Sequence, residues 1–154
     1  MKSFTDKDGR VWEISLTIGS ALQVKNKLEG VDLLQPEMGD PPLITRLGTD
    51  EMFLAEVICA LLGDQFEKHG VSVEDIQQSM DGATIMAAQE AFYEELIDFF
   101  QSRGRADRAK AVEAQKNLIM IATKKVAEKI ENIDLEKVLD DELSKVTPGA
   151  ISGK

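Results

Sequence analysis

The chain has one cysteine, one histidine, one tryptophan and one tyrosine in 154 residues. A single Cys, Cys59, excludes a disulfide framework within the chain and fits a reducing compartment. It sits inside the apolar run FLAEVICALL, where a small buried side chain is the plain reading, since Cys is among the most buried residue types. One histidine, His69, leaves His-rich metal sites and a Ser–His or Cys–His pair without parts. The glycines are scattered and form no phosphate-binding loop, and no serine lies in a nucleophile elbow. No apolar run approaches the 18 residues a membrane span needs, and MKSFTDKDG lacks the apolar core of a signal peptide, so the cytoplasm is the expected compartment. Basic charge is also short. The 18 Lys and Arg against 28 Asp and Glu give a net charge of −10, which argues against sequence-independent nucleic-acid binding. Lys and Arg do gather between Arg103 and Lys129. These shortages point away from an enzyme, a metal or cofactor, a nucleic-acid partner and a membrane.

What is present is apolar helix. Hydrophobic residues make up 43% of the chain, enough for a core in a single domain of this length. Residues 83–100, ATIMAAQEAFYEELIDFF, hold the only Tyr and three of the six Phe. Ile85, Ala88, Phe92, Leu96 and Phe99 repeat at helical spacing, and Met86, Ala87, Ala91, Tyr93, Ile97 and Phe100 broaden the stripe. This is the expected core helix, with Glu90, Glu94, Glu95 and Asp98 on its wetter side. Four carboxylates on one helix invite a metal-site reading, but the second-helix Glu-x-x-His partners of a di-iron bundle are missing, so a solvated acidic face is expected.

Residues 3–17 read as a β-hairpin. Val11, Glu13 and Ser15 alternate with Trp12, Ile14 and Leu16, and Phe4 joins the apolar face. Asp6–Lys7–Asp8–Gly9 supplies turn chemistry for a tight two-residue turn. A calcium loop beginning at Phe4 would need a bidentate Glu where Ser15 stands, so that reading fails. Such a hairpin has to rest on helices or pair with another chain.

Further helices are expected at 18–29, with Ile18, Ala21, Leu22, Lys25 and Leu28 as its stripe and Gly30 after it, and at 50–69, capped by Thr49 or Asp50. Met52, Phe53, Val57, Cys59, Ala60, Leu61 and Leu62 are the buried candidates of the second, His69 favours its C-terminal dipole and Gly70 ends it. Ser72 with Asp75 forms a capping box for a short helix ending near Met80, with Val71 placed to staple Ile76. Residues 31–48, with Pro36, Pro41 and Pro42, read as a loop with one helical turn at 43–47, of a size that serves binding. QSRGRADRAK, polar and basic with a Gly, reads as a connection or a frayed helix end. A long helix over 109–130 carries Val112, Leu118, Ile119, Ala122, Val126 and Ile130 at near-heptad spacing. Asp134 caps a last helix at 135–146 with Leu135, Val138, Leu139 and Leu143, and 147–154 is a flexible tail. The expected fold is mainly α, an N-terminal β-hairpin packed on a multi-helix bundle: one domain over 1–146 with a C-terminal helical extension at 105–146. The candidate partner-binding residues are Leu118, Ile119, Ile121, Val126 and Ile130, where NLIMIA at 117–122 is apolar around more than one face. Packing onto the chain's own core is the competing reading of that helix. The hairpin's outer edge is a second candidate, because an unpaired edge can accept a partner's strand.

The stretches SFTDKDGRVWEISLTIGSALQVKNKLEGVDLL and LLGDQFEKHGVSVEDIQQSMDGATIMAAQEAFYEELIDFF resemble small proteins of tailed bacteriophages and prophages, of the tail-assembly-chaperone type. The resemblance covers roughly residues 3–100, rests on short non-catalytic motifs, and fades at the 109–130 helix. It implies a non-enzymatic chaperone that keeps a hydrophobic tape-measure helix soluble while tail-tube subunits assemble, in the host cytoplasm. The partners are then proteins: the tape-measure or tail-tube protein, or further copies of the chain. A virion structural tail subunit and a small adaptor or regulatory module remain as alternatives.

Overall fold

The computed structural model describes residues 1–131, Lys137, Leu139 and 141–143, leaving aside the side chains of Thr123 and Glu131. They fall into two compact units, 1–117 and 118 onward. The first unit is mainly helical and carries a two-stranded antiparallel hairpin at its N-terminus. The strands are β1 (Lys2–Thr5) and β2 (Val11–Ile14), in the register Phe4↔Trp12 and Lys2↔Ile14. Period-two alternation puts Phe4, Trp12 and Ile14 on the buried face, and Leu16 continues it. The turn is longer than two residues. Asp6 and Arg10 close it by a backbone bond of 2.9 Å, with Gly9 at φ 85°, because the Asp6 carboxylate holds a wider loop together than the minimal turn allows.

Helix α1 (Ile18–Lys27) starts on a Thr17–Ser20 capping box. Its buried residues are Ala21 and Val24 rather than an Ile18–Leu22–Lys25 stripe, and Ile18 and Leu22 are exposed. The capped entry from β2 rotates the helix so that Val24 meets the core. Residues 31–42 then run as a sequence of turns that buries Val31 and Leu33, leading into α2 (Leu43–Thr49). The Asp40–Pro41 peptide is cis.

The helix expected over 50–69 is two. Helix α3 (Glu51–Leu62) is capped by Asp50, whose side chain accepts the Phe53 N–H at 3.1 Å. It stops at Gly63 (φ 58°, ψ −121°), and α4 (Gln65–His69) follows, ended by left-handed Gly70. An L side chain is strained at the Gly63 torsions, and a Cβ there would lie 3.2 Å from the Gln23 amide. Leu54 and Ile58 are buried in α3 together with the expected residues, whereas Met52 is 81% exposed. Helix α5 (Val73–Ser79) begins on the Ser72–Asp75 capping box and buries Ile76.

Helix α6 (Gly82–Ser102) is the core helix, capped by Asp81 through the Thr84 N–H at 3.0 Å. Ala88, Ala91, Phe92, Tyr93, Leu96 and Phe100 are buried along it. It packs on β1, α3 and β2, while β2 also packs on α3, which itself packs on α1 and α2. The hairpin therefore rests on helices, as a lone hairpin must. Met86 and Ala87 face outward. Glu95, assigned above to the wet side, is buried at 6% exposure. Its Oε2 accepts the Leu16 N–H at 2.7 Å, and the Met1 amino nitrogen lies 2.8 Å from Oε1. The β2–α1 connection, which leaves the sheet at Leu16, needs an acceptor there, and Glu95 supplies it.

The chain turns over Arg103–Gly104–Arg105, with the Arg105 N–H reaching back to the Phe100 carbonyl at 2.7 Å. Helix α7 (Ala106–Glu131) begins three residues before the expected start. In the first unit it buries Ala109 and Val112, and Arg108 makes a two-pronged ion pair with Glu37 at 3.0 Å on both prongs. The expected last helix at 135–146 lies mostly outside the described residues, of which Lys137, Leu139 and 141–143 are helical. The expected cap Asp134, Leu135, Val138 and the tail at 147–154 lie outside them altogether.

Candidate functional site

In the second unit the rest of α7 carries the residues expected to bind a partner. Leu118, Ile121, Val126 and Ile130 are 59%, 53%, 56% and 62% exposed, and Ile119 is half-buried. At about 100° per residue, Leu118, Ile119, Val126 and Ile130 fall within an arc of about 120°. Ile121 stands about 60° beyond Leu118 on the other side of that arc. Four of the five therefore share a face and one borders it. Met120 is also exposed; the sequence marked it only as part of NLIMIA. Lys124, Lys125, Glu128 and Lys129 lie between these apolar positions and are exposed. At the same spacing Lys129 falls inside the arc and Lys125 beside it, so the arrangement is an apolar strip interrupted and bordered by charge, which suits contact with another amphipathic helix.

On the second candidate, the outer edge of the hairpin, side chains already meet part of β2. Gln65 lies alongside β2, its Oε1 accepting the Glu13 N–H and its Nε2 donating to the Glu13 carbonyl, both at 2.8 Å. One side-chain amide thus does what a peptide unit of a third strand would do. His69 adds a 2.9 Å bond between Nε2 and the Val11 carbonyl. A carbonyl only accepts, so Nε2 carries the proton. The His69 ring also lies against Trp12 at a tilt of 47°, with centroids 4.4 Å apart. These contacts give Gln65 and His69 a role that sequence reasoning missed, because 52 and 58 residues separate the partners.

The buried Asp6 carboxylate is tied into the hairpin turn. Asp6 Oδ1 accepts the N–H groups of Asp8 and Arg10 at 2.9 Å. Its Oδ2 accepts Trp12 Nε1–H at 2.9 Å, Arg10 Nη1–H at 3.1 Å and the Ser79 hydroxyl at 3.4 Å. Burial pushes this carboxyl up, but the bonds from Trp12, Arg10 and Asp8 outweigh burial and hold it below 3.8. Cys59 is buried, and burial first, with the neighbouring Glu56 charge second, pushes its thiol up to about 11. A thiol raised that far is a poor nucleophile at neutral pH. Burial likewise pushes the Tyr93 phenol up to about 12, with the neighbouring Gln89 side chain acting the other way. Among the described residues no group of three His, Cys, Asp or Glu side chains is placed to hold a metal ion, and no helix is long and apolar enough to cross a membrane.

Known proteins add nothing to this geometry. No family model, curated protein or solved structure matches the chain.

Proposed function

We propose that this protein is a non-enzymatic binding protein for an apolar helical client, of the kind a tail-assembly chaperone provides for a tape-measure helix. The observation that carries the reading is the strip on α7 formed by exposed Leu118, Val126 and Ile130 with half-buried Ile119, bordered by exposed Ile121. Exposed apolar side chains gathered along one helix suit a binding face. Exposed charges between them keep such a surface in water until the client arrives. The client is then an apolar helix that lays its own stripe against α7, read as anchors at i, i+3, i+4 and i+7. The resemblance of residues 3–100 to tail-assembly chaperones supplies the class of client. The host cytoplasm, where tails assemble, is the corresponding compartment.

The test is size-exclusion chromatography with light scattering on the purified chain, alone and mixed with a helical tape-measure segment. A small species that enlarges only with the segment is the expected result. Large rings or tubes formed without it would overturn the reading in favour of a structural tail subunit.

A further inference from the structure

The corner between α6 and α7 encloses a second feature, built wholly from the first unit. A cavity of about 220 Å³ has Ile18, Leu34, Phe99 and Phe100 as its apolar lining and Arg103, Arg105 and Arg108 around them. The two phenylalanine rings meet edge to face, centroids 5.6 Å apart. Phe100 is buried, Leu34 and Phe99 are half-buried, and Ile18 is exposed. Leu22, one turn further along α1, is exposed as well and prolongs the apolar surface outward. Among the described residues no acidic side chain lines the cavity, the Asp107 and Glu37 carboxylates meeting Arg105 and Arg108 outside its lining, although the chain as a whole carries a net charge of −10.

The three arginines are not equivalent. Arg105 is held by Asp107 through Nε and Nη2 at 3.0 and 2.9 Å, and Arg108 is held by Glu37 through the same pair of nitrogens. Those bonds orient two guanidinium groups and leave their Nη1 groups outside the pairing. Arg103 takes part in no ion pair among the described residues. A guanidinium beside aromatic surface favours a carboxylate, which it can meet with two parallel N–H donors.

We propose that this cavity is a docking site for an acidic segment of a protein partner, anchored by one large apolar side chain. The anchor sits against Phe99 and Leu34, and Asp or Glu carboxylates beside it meet Arg103 and the Nη1 groups of Arg105 and Arg108. Size favours this occupant, because small-molecule sites typically enclose roughly 300–1,000 Å³ and this one holds about a single side chain. Charge favours it too. A nucleic acid would satisfy the arginines but would bring further phosphates toward a strongly acidic protein. The site uses residues 18–108 only, so it stands or falls separately from the α7 strip.

The experiment is fluorescence anisotropy on the full chain with a fluorescein-labelled peptide holding one Phe flanked by two Glu on each side. Arg103→Glu and Ile18→Glu change exposed positions, and an acid at Ile18 suits the start of a helix. Melting curves confirm that each variant folds. Each variant should weaken binding roughly tenfold, as should peptides with Ala for Phe or Gln for Glu, while Leu118→Glu leaves binding unchanged. The two altered peptides test the site on the unaltered chain even if a variant fails to fold. No binding at about 1 mM peptide, equal binding of the Ala peptide, insensitivity to both variants, or displacement of the peptide by a single-stranded oligonucleotide would each overturn the assignment.

Discussion

Asp6 shows how much one side chain carries in this fold, since it ties the hairpin turn, the Trp12 indole and the end of α5 to a single carboxylate. Its folded-state pKa lies below the ordinary 3.8, so the unfolded chain takes up the proton first as pH falls. The Asp6 contribution is thus complete above about pH 5 and is lost as pH drops through 3.8 toward the folded value. Asp6→Asn should cost roughly 2–3 kcal/mol at neutral pH, the scale of hydrogen bonds to a charged group, and should flatten the acid side of the stability curve. Part of that slope should remain, because the capping carboxylates Asp75 and Asp81 are also held below their ordinary values. Urea unfolding between pH 3 and pH 7 (on the order of the carboxylate range) reads both effects, and an unchanged slope would refute the assignment. Glu94 and Glu95 form a second test. Glu94 is partly exposed and lies 3.5 Å from Lys116, so Glu94→Gln should change stability by less than about 1 kcal/mol. Glu95→Ala leaves the Leu16 N–H buried without its acceptor and should cost about 1–3 kcal/mol. Equal effects of the two would show that Glu95 is not serving the β2–α1 connection. The helical stripe of α6 was legible in the sequence, but the demand for an acceptor at Glu95 was not. It comes from a backbone group 79 residues away.

At the scale of elements, local chemistry was readable and tertiary chemistry was not. Ser72 with Asp75, Asp50 before α3 and the alternation of Val11 to Leu16 each state their structure within a few residues, and the described fold follows them. The break of one expected helix at Gly63 and the rotation of α1 onto Val24 depend on neighbours distant in sequence. The same holds for the strand edge, where Gln65 completes the hydrogen bonding of Glu13. Gln65→Ala should cost less than about 1 kcal/mol, because water replaces exposed bonds, but it reopens an edge that can accept another strand. Sedimentation velocity over a concentration series should then show more association than the parent chain, and identical profiles would show that Gln65 does not guard the edge. The core helix makes a stronger claim. Phe92 and Leu96 are each 1% exposed, so either one changed to Ala should cost about 2–5 kcal/mol. A loss under about 0.5 kcal/mol, the range of ordinary surface substitutions, would show that α6 is not central.

For the whole molecule, the distribution of apolar side chains separates stability from binding. Every buried hydrophobic residue among the described ones lies at or before Val112, whereas Leu118, Met120, Ile121, Val126 and Ile130 are all exposed. Their spacing was visible in the sequence, but their exposure was not, because an amphipathic helix reads the same whether its stripe meets the chain's own core or a client. A chain ended after residue 117 keeps the hairpin, α1 to α6 and the buried turns of α7, so it should still unfold cooperatively. Its midpoint should stay within several degrees of the full chain, the shift that about 1 kcal/mol produces in a domain of this size. The same truncation should abolish binding of a helical tape-measure segment while leaving the acidic Phe peptide bound. Leu118→Glu with Val126→Glu in the full chain should reproduce that split without shortening it. If the truncated chain loses its cooperative transition, the residues from 118 onward contribute to the fold of the first unit, and the assignment of their apolar strip to a client fails. If it folds and still binds the helical segment, the client surface lies in the first unit, and the exposed face of α1 at Ile18 and Leu22 becomes the place to map it.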